Sequence, residues 1–364
     1  MKHGKHDFKG KRIKPSRMTG GLSAVQLVDG FFNAYNGARI AEVCRLLAEK
    51  ALKKNVTLGV SLSGALTPAG LGASAIVPLI EAGFIDYIVS TGANLYHDIH
   101  YGLGLALHKS SPFVDDTELR KKQLIRIYDI IFDFNVLLKS DKYVFDVVGK
   151  SEFQKRLSTS ELHHLIGKYM DETEKKHGTQ GSTVLGAAYR AGVPVYCPSP
   201  GDSTIGMNIA AQAVAGKGLL TIDVVQDVNE TAAIVLDATR NGESGVLIFG
   251  GGSPKNFMLQ TEPQLSEILN IPVRGHDYFM QITDARPDTG GLSGATPSEA
   301  VSWGKINPAM LPNTVVAYVD TTVAMPIITA YVLTKVKPRK QKRLYDRRHE
   351  MVEQLKKEYR KNNK

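Results

Sequence analysis

A glutamate, a tryptophan and a lysine stand close together in Ser298-Glu299-Ala300-Val301-Ser302-Trp303-Gly304-Lys305-Ile306, and that tryptophan is the only one in the chain. A lysine amine attacks a carbonyl or an imine once burial lowers its pKa and frees its lone pair. Trp303 offers an apolar wall for that purpose, and its indole face attracts an alkylammonium by cation–π interaction. Glu299, one helical turn before Trp303, suits a substrate amine. Spacing alone favours a plainer arrangement, a capped surface helix. Thr296 or Ser298 would then be near the N-cap, Glu299 in the first turn and Lys305 in solvent at the end.

A second set of residues suggests a ligand with phosphates. Several predicted strands end in small or acidic residues: Ser63-Gly64, Thr91-Gly92, Asp202, Gly250-Gly251-Gly252, Asp284 and Asp320. Glycine lets backbone amides approach a phosphate, a following helix N-terminus favours its charge, and a strand-end carboxylate can hold ribose hydroxyls. These features point to a nucleotide or dinucleotide, although turn glycines are common at strand ends. Neither a phosphate loop ending in Gly-Lys-Ser/Thr nor the usual dinucleotide glycine spacing is present. His97 and His100 stand three apart on a predicted helix but lack an acidic or cysteine partner at matching spacing, so no metal is assigned. His163 and His164 read as surface residues, and Cys197 as a small core residue.

The elements that must position these groups alternate. Apolar runs at 56–62, 84–90, 193–197, 219–225, 246–249, 278–282 and 315–319 read as strands, with Asp227 expected to cap a helix over 229–239. Helical patterns lie between them, for example at 69–82, 205–215 and 323–336. Such alternation predicts an α/β fold: a doubly wound, mostly parallel sheet with helices on both faces. Residues 18–336 are expected to form a single domain, in which the more charged and less regular 109–180 makes a peripheral helical insert.

Net charge is +9, but residues 1–17 carry +6 and 337–364 carry +8, which leaves a mildly acidic body between a basic N-terminal tail and a basic, helical C-terminal tail. Residues 337–343 could attract RNA electrostatically. Glu350, Glu353 and Glu358 interleave with basic residues at helical spacing, which favours a solvated helix over a nucleic-acid partner. Two cysteines, no apolar run of bilayer length and no secretory signal together predict a cytoplasmic protein without a membrane partner.

The segment around Lys305 closely resembles the active-site segment of deoxyhypusine synthases. Four further stretches resemble that family in the same order: Ser90-Thr91 followed by Asp98, Val193-Pro194-Val195-Tyr196-Cys197-Pro198 continuing to Asp202 and Gly206, Gly250-Gly251-Gly252-Ser253-Pro254-Lys255, and Ala317-Tyr318-Val319-Asp320. The resemblance runs from about residue 56 to 336. It implies a Rossmann-like, NAD-binding fold and an NAD-dependent aminoalkyl transferase. An aminobutyl group would leave spermidine as an imine on Lys305 and pass to an acceptor amine, with NAD serving as a hydride store. By matching position, Thr91, Asp202, Gly250, Gly251, Gly252, Ser293 and Asp320 would hold NAD, while Glu299 and Trp303 would contact the polyamine. A homotetramer with sites at subunit contacts is also implied.

The chain departs from that pattern at four positions. Asn256 replaces a histidine thought to assist proton transfer, and an asparagine is no general base at neutral pH. Met207 and Leu292 replace two aspartates that grip the polyamine, and His97 replaces a glutamate of the early NAD loop. Arg286 nearby would permit a substrate that carries a carboxylate. The expected reaction is therefore aminoalkyl transfer with the acceptor left open. It could be a protein lysine or, as in homospermidine synthases, a small amine. A non-catalytic NAD- or RNA-binding protein that works through its tails is the alternative of another class.

Overall fold

The structure, a computed structural model, describes residues 10–363; residues 1–9 of the basic N-terminal tail lie outside the described residues. Six parallel strands form the central sheet: β1 (Val56–Leu62), β2 (Tyr87–Ser90), β3 (Val195–Tyr196), β4 (Glu243–Phe249), β5 (Tyr278–Thr283) and β6 (Thr314–Tyr318). Their order is β3-β2-β1-β4-β5-β6, so the direction of winding reverses between β1 and β4. That reversal is the switch point at which doubly wound sheets bind ligands.

Alternation along the strands builds two apolar layers. Val56, Leu58, Val60 and Leu62 of β1 join Leu247, Phe249, Met280, Ile282, Val315 and Ala317 on one face. Val246, Ile248 and Phe279 join the other face, where helices pack over them. Gly59 is required in β1 because the Tyr87 ring crosses it: a Cβ there would stand 2.2 Å from Tyr87 Cζ.

The helices that matter for the site are α1 (Gly92–Gly102), α2 (Thr159–His177), α3 (Thr204–Val214), α4 (Val224–Asn241), α5 (Gly252–Leu259), α6 (Pro297–Ser302), α7 (Thr321–Lys335) and α8 (Leu344–Asn362). Two expectations fail around α4. Only Thr221–Ile222 of the run at 219–225 is a strand, and it pairs with Arg156–Leu157 away from the main sheet. Asp223, rather than Asp227, caps α4 by accepting the Gln226 N–H at 3.0 Å. Asp227 is buried, accepts from the Thr159 amide and hydroxyl at 2.8 Å, and has its pKa pushed up to about 7 by burial.

The stretch 109–180 contains strands as well as helices. His108–Lys109, Leu124–Ile127 and Ile130–Asp133 form a small antiparallel sheet beside helix Phe134–Val148. Helix α2 packs inward, on Val184–Ala191 and on β3. His163 and His164 are therefore not surface residues. His163 is buried with Nδ1 2.8 Å from the Val195 carbonyl, and His164 stacks on Tyr345 with ring centroids 3.5 Å apart.

The C-terminal segment is also held to the body. Arg339 is 5 % exposed and pairs at 2.6 Å with Asp86, which is 1 % exposed. It also donates to the carbonyls of Gly83, Lys53 and Val56. Beyond it, α8 is helical as expected but lays Leu344, Met351 and Leu355 into the apolar layer that includes α4. Among the described residues no helix is long and apolar enough to cross a membrane.

Candidate active site

The loops that leave β1, β2, β3, β4 and β5 are tied to one another. Gly251 N donates to Ser63 Oγ at 3.2 Å, and Ser63 donates in turn to the Gly251 carbonyl. Thr91 Oγ1 reaches the Gly64 carbonyl at 2.6 Å, and Gly252 N donates to Ser293 Oγ at 2.8 Å. Ser199, in the loop that carries Asp202, meets Ser253 at 3.2 Å. The close approach needs Gly251, where a Cβ would lie 2.4 Å from Ser293 Cα. Thr91, Asp202, residues 250–252 and Ser293 thus gather at the mouth of the switch point. Asp320 stands apart from them at the sheet edge, where it caps α7 by accepting the Thr322 N–H at 2.8 Å.

Lys305 lies alongside this mouth. Thr296 caps α6 by accepting the Glu299 N–H at 3.2 Å, and Pro297 suits the first turn. The helix ends at Trp303, and Gly304, at a φ of 68°, turns the chain. The Lys305 amide then returns to the Ala300 carbonyl at 3.0 Å, and its own carbonyl accepts from His276 N at 3.0 Å. Pinned on both sides, the side chain enters a cavity of about 250 Å³ lined by Lys255, Asn256, Phe279, Glu299 and Trp303 among others. Nζ is 3.4 Å from Asn256 Oδ1 and 5.5 Å from the Trp303 ring centre. Burial lowers the Lys305 pKa, while the charges of Glu299 and then Glu267 oppose that shift. The half-buried amine is therefore not the solvated lysine of a surface helix.

Sequence reasoning gave no role to Lys255 or Gln281. Lys255 is 2 % exposed, and its ammonium donates to Gln281 Oε1 at 3.0 Å, to the Ser293 carbonyl at 3.2 Å and to the Ala295 carbonyl at 2.7 Å. Burial brings its pKa down to about 8 against the opposing charge of Glu299. With every N–H taken it is no nucleophile; it fixes residues 293–295 as a wall of the cavity. Gln281 is legible in retrospect as a polar residue inside an apolar strand, at the same parity as Phe279.

A family model described as deoxyhypusine synthase matches residues 26–332. A "Deoxyhypusine synthase-like protein" of Nostoc punctiforme is 56% identical over 351 residues, covering 96% of this chain and 90% of the relative. The chain belongs to the deoxyhypusine synthase family. "Probable deoxyhypusine synthase 2" of Methanosarcina acetivorans is 36% identical over 307 residues, 84% of this chain and 85% of the relative. A solved structure described as a deoxyhypusine synthase, from Entamoeba histolytica, shares the fold at a TM-score of 0.55 and 15% identity, over 91% of this chain and 100% of that one. Membership makes the protein an enzyme of a transferase family.

Within the family, the positions that depart from its pattern fall in different places. Asn256 faces Lys305, and Leu292 lines the same cavity while 51% exposed. Met207, on α3, is 65% exposed and outside the cavity lining. His97 bonds sideways to His100, Nδ1 to Nε2, at 3.0 Å. Arg286 is engaged by Asp288 through two hydrogen bonds, at 3.0 and 2.6 Å, and does not line the cavity, so a carboxylate-bearing substrate finds no free guanidinium there.

Proposed function

We propose that this protein is a cytoplasmic, NAD-dependent aminoalkyl transferase that carries an aminobutyl-type group from a polyamine to an acceptor amine as an imine on Lys305. The observation that carries the reading is the half-buried Lys305 amine, set between Asn256 and the Trp303 ring in a cavity that also holds Glu299.

The strand-end residues fit NAD. Gly64 and Gly252 adopt φ of 65° and 57°, and the space beside each α-carbon is open, as a backbone cradle for phosphates requires. Thr91, Asp202, residues 250–252 and Ser293 would hold the cofactor, with Asp320 at the outer edge. When bound, NAD would take a hydride from the amine carbon and return it at the end of the cycle.

The chain's own residues supply the rest. Glu299 and the Trp303 face hold the donor's ammonium, by charge and by cation–π attraction. Burial keeps part of the Lys305 population neutral, so that its lone pair can attack the imine carbon. Asn256 Oδ1 accepts a hydrogen bond from Nζ and orients it without removing a proton. Met207, Val214 and Leu219 expose apolar surface, which supports the homotetramer the family implies.

A small-molecule acceptor, as in homospermidine synthases, is favoured over a protein lysine by the cavity's charge. Its lining holds one carboxylate, Glu299, beside two lysines, so little negative charge remains for a tricationic donor. Purified enzyme with NAD should convert spermidine, putrescine or agmatine to a new amine seen by mass spectrometry. Consumption of none of the three would refute the transferase reading.

A further inference from the structure

A second cavity, of about 190 Å³, opens on the other side of Gln260, which lines both cavities. Its walls are Val228 of α4, Phe257 of α5 and the turn that carries Glu267 and Ile268. That turn, Gln264–Ile268, is a π-helical segment, a widened form of helix that often accompanies functional positions. Ile268 is 66% exposed although it is a large apolar residue. The Glu267 carboxylate makes no ion pair or hydrogen bond among the described residues, and its charge acts on Lys305. Lys305 therefore stands between two free carboxylates, each in its own cavity: Glu299 on one side and Glu267 on the other.

We infer that this second cavity is the acceptor subsite and that it takes a small aliphatic diamine, one ammonium held by Glu267 and the methylenes lying on Val228, Phe257 and Ile268. The inference rests on the imine chemistry proposed above for Lys305. Apolar walls with one unpaired carboxylate match an alkylammonium in both shape and charge. The bound diamine would present its free amine past Gln260 to the imine carbon. In the transfer step the acceptor nitrogen gives up one proton and forms a bond to that carbon. The bond to Lys305 Nζ then breaks, and Nζ leaves with the proton. The new imine is reduced by the hydride retained from the donor, so no further oxidant or reductant is needed.

The two half-reactions separate this inference from the reading beneath it. Enzyme, NAD and spermidine are trapped with borohydride to score the Lys305 adduct; in a second assay, isotopically labelled putrescine is added and the labelled product is measured. Glu267→Gln should leave the adduct yield unchanged and raise the putrescine KM about tenfold, the loss of one charge-assisted contact. Ile268→Arg, at an exposed position, should do the same by placing a cation beside Glu267. Transfer to putrescine with unchanged KM in both variants overturns the acceptor subsite, as does an equal fall in both half-reactions. Transfer to a peptide lysine but not to putrescine overturns the diamine assignment. Failure of the wild type to form any adduct removes the underlying reading and this inference with it.

Discussion

Arg339→Ala tests whether the C-terminal segment is part of the folded body. The guanidinium is 5 % exposed and meets the Asp86 carboxylate, 1 % exposed, at 2.6 Å. It also donates to three carbonyls, two of them at 2.8 and 2.9 Å. Truncation leaves a buried carboxylate without its cation and three acceptors without donors. Breaking a buried pair by removing one partner costs about 3–5 kcal/mol, a large share of a typical folding stability. With an unfolding entropy of about 2.1 cal/mol/K per residue, ~4 kcal/mol corresponds to roughly 5 °C in this chain. Scanning calorimetry or thermal fluorescence on wild type and variant should show that drop. The double variant Arg339→Met with Asp86→Leu should recover part of it, because no bare charge remains buried. A variant that melts within about one degree of wild type would refute the reasoning, because a loss of several kcal/mol cannot leave the midpoint in place.

Three further outcomes follow from the site and the core. Because burial lowers the Lys305 pKa and Glu299 raises it, adduct formation should increase with pH through a midpoint below that of a free lysine amine. At saturating amine, Glu299→Gln should move that midpoint lower still; a rise would contradict the assignment. Gly251→Ala would place a Cβ 2.4 Å from Ser293 Cα, so the loop must shift, and NAD affinity measured by calorimetric titration should fall about tenfold or more. Unchanged affinity would separate the triple-glycine loop from the cofactor. Cys44 and Cys197 are buried, and burial pushes their thiols up to about 12 and about 11, so iodoacetamide should label neither in the native enzyme and both after unfolding.

Where periodicity and burial agree, the fold was legible. Residues 56–62 are uniformly buried and form β1 at the expected bounds, and β4, β5 and β6 differ from expectation only at their ends. The run at 219–225 misled because Val224 and Val225 are exposed residues at the start of a capped helix, which apolar character alone does not reveal. The inward packing of α2 and α8 was not legible, since each has a charged outer face that dominates its composition while a few residues, such as His163 or Met351, make the buried contact. In the site, the Trp-Gly-Lys segment was readable from its resemblance. Lys255 was not, because its burial depends on Gln281 and on carbonyls 26 to 40 positions away. The cavity around Glu267 depends on a widened helical turn that leaves no simple periodic signature.

The central claim is that Lys305 carries the transferred group. Borohydride reduction of enzyme incubated with NAD and spermidine, followed by peptide mass mapping, tests it most directly. The account predicts an added aminobutyl mass on the peptide that contains Lys305, absent without NAD and absent in Lys305→Ala. An adduct on another lysine such as Lys255, or undiminished transfer by Lys305→Ala, would contradict it.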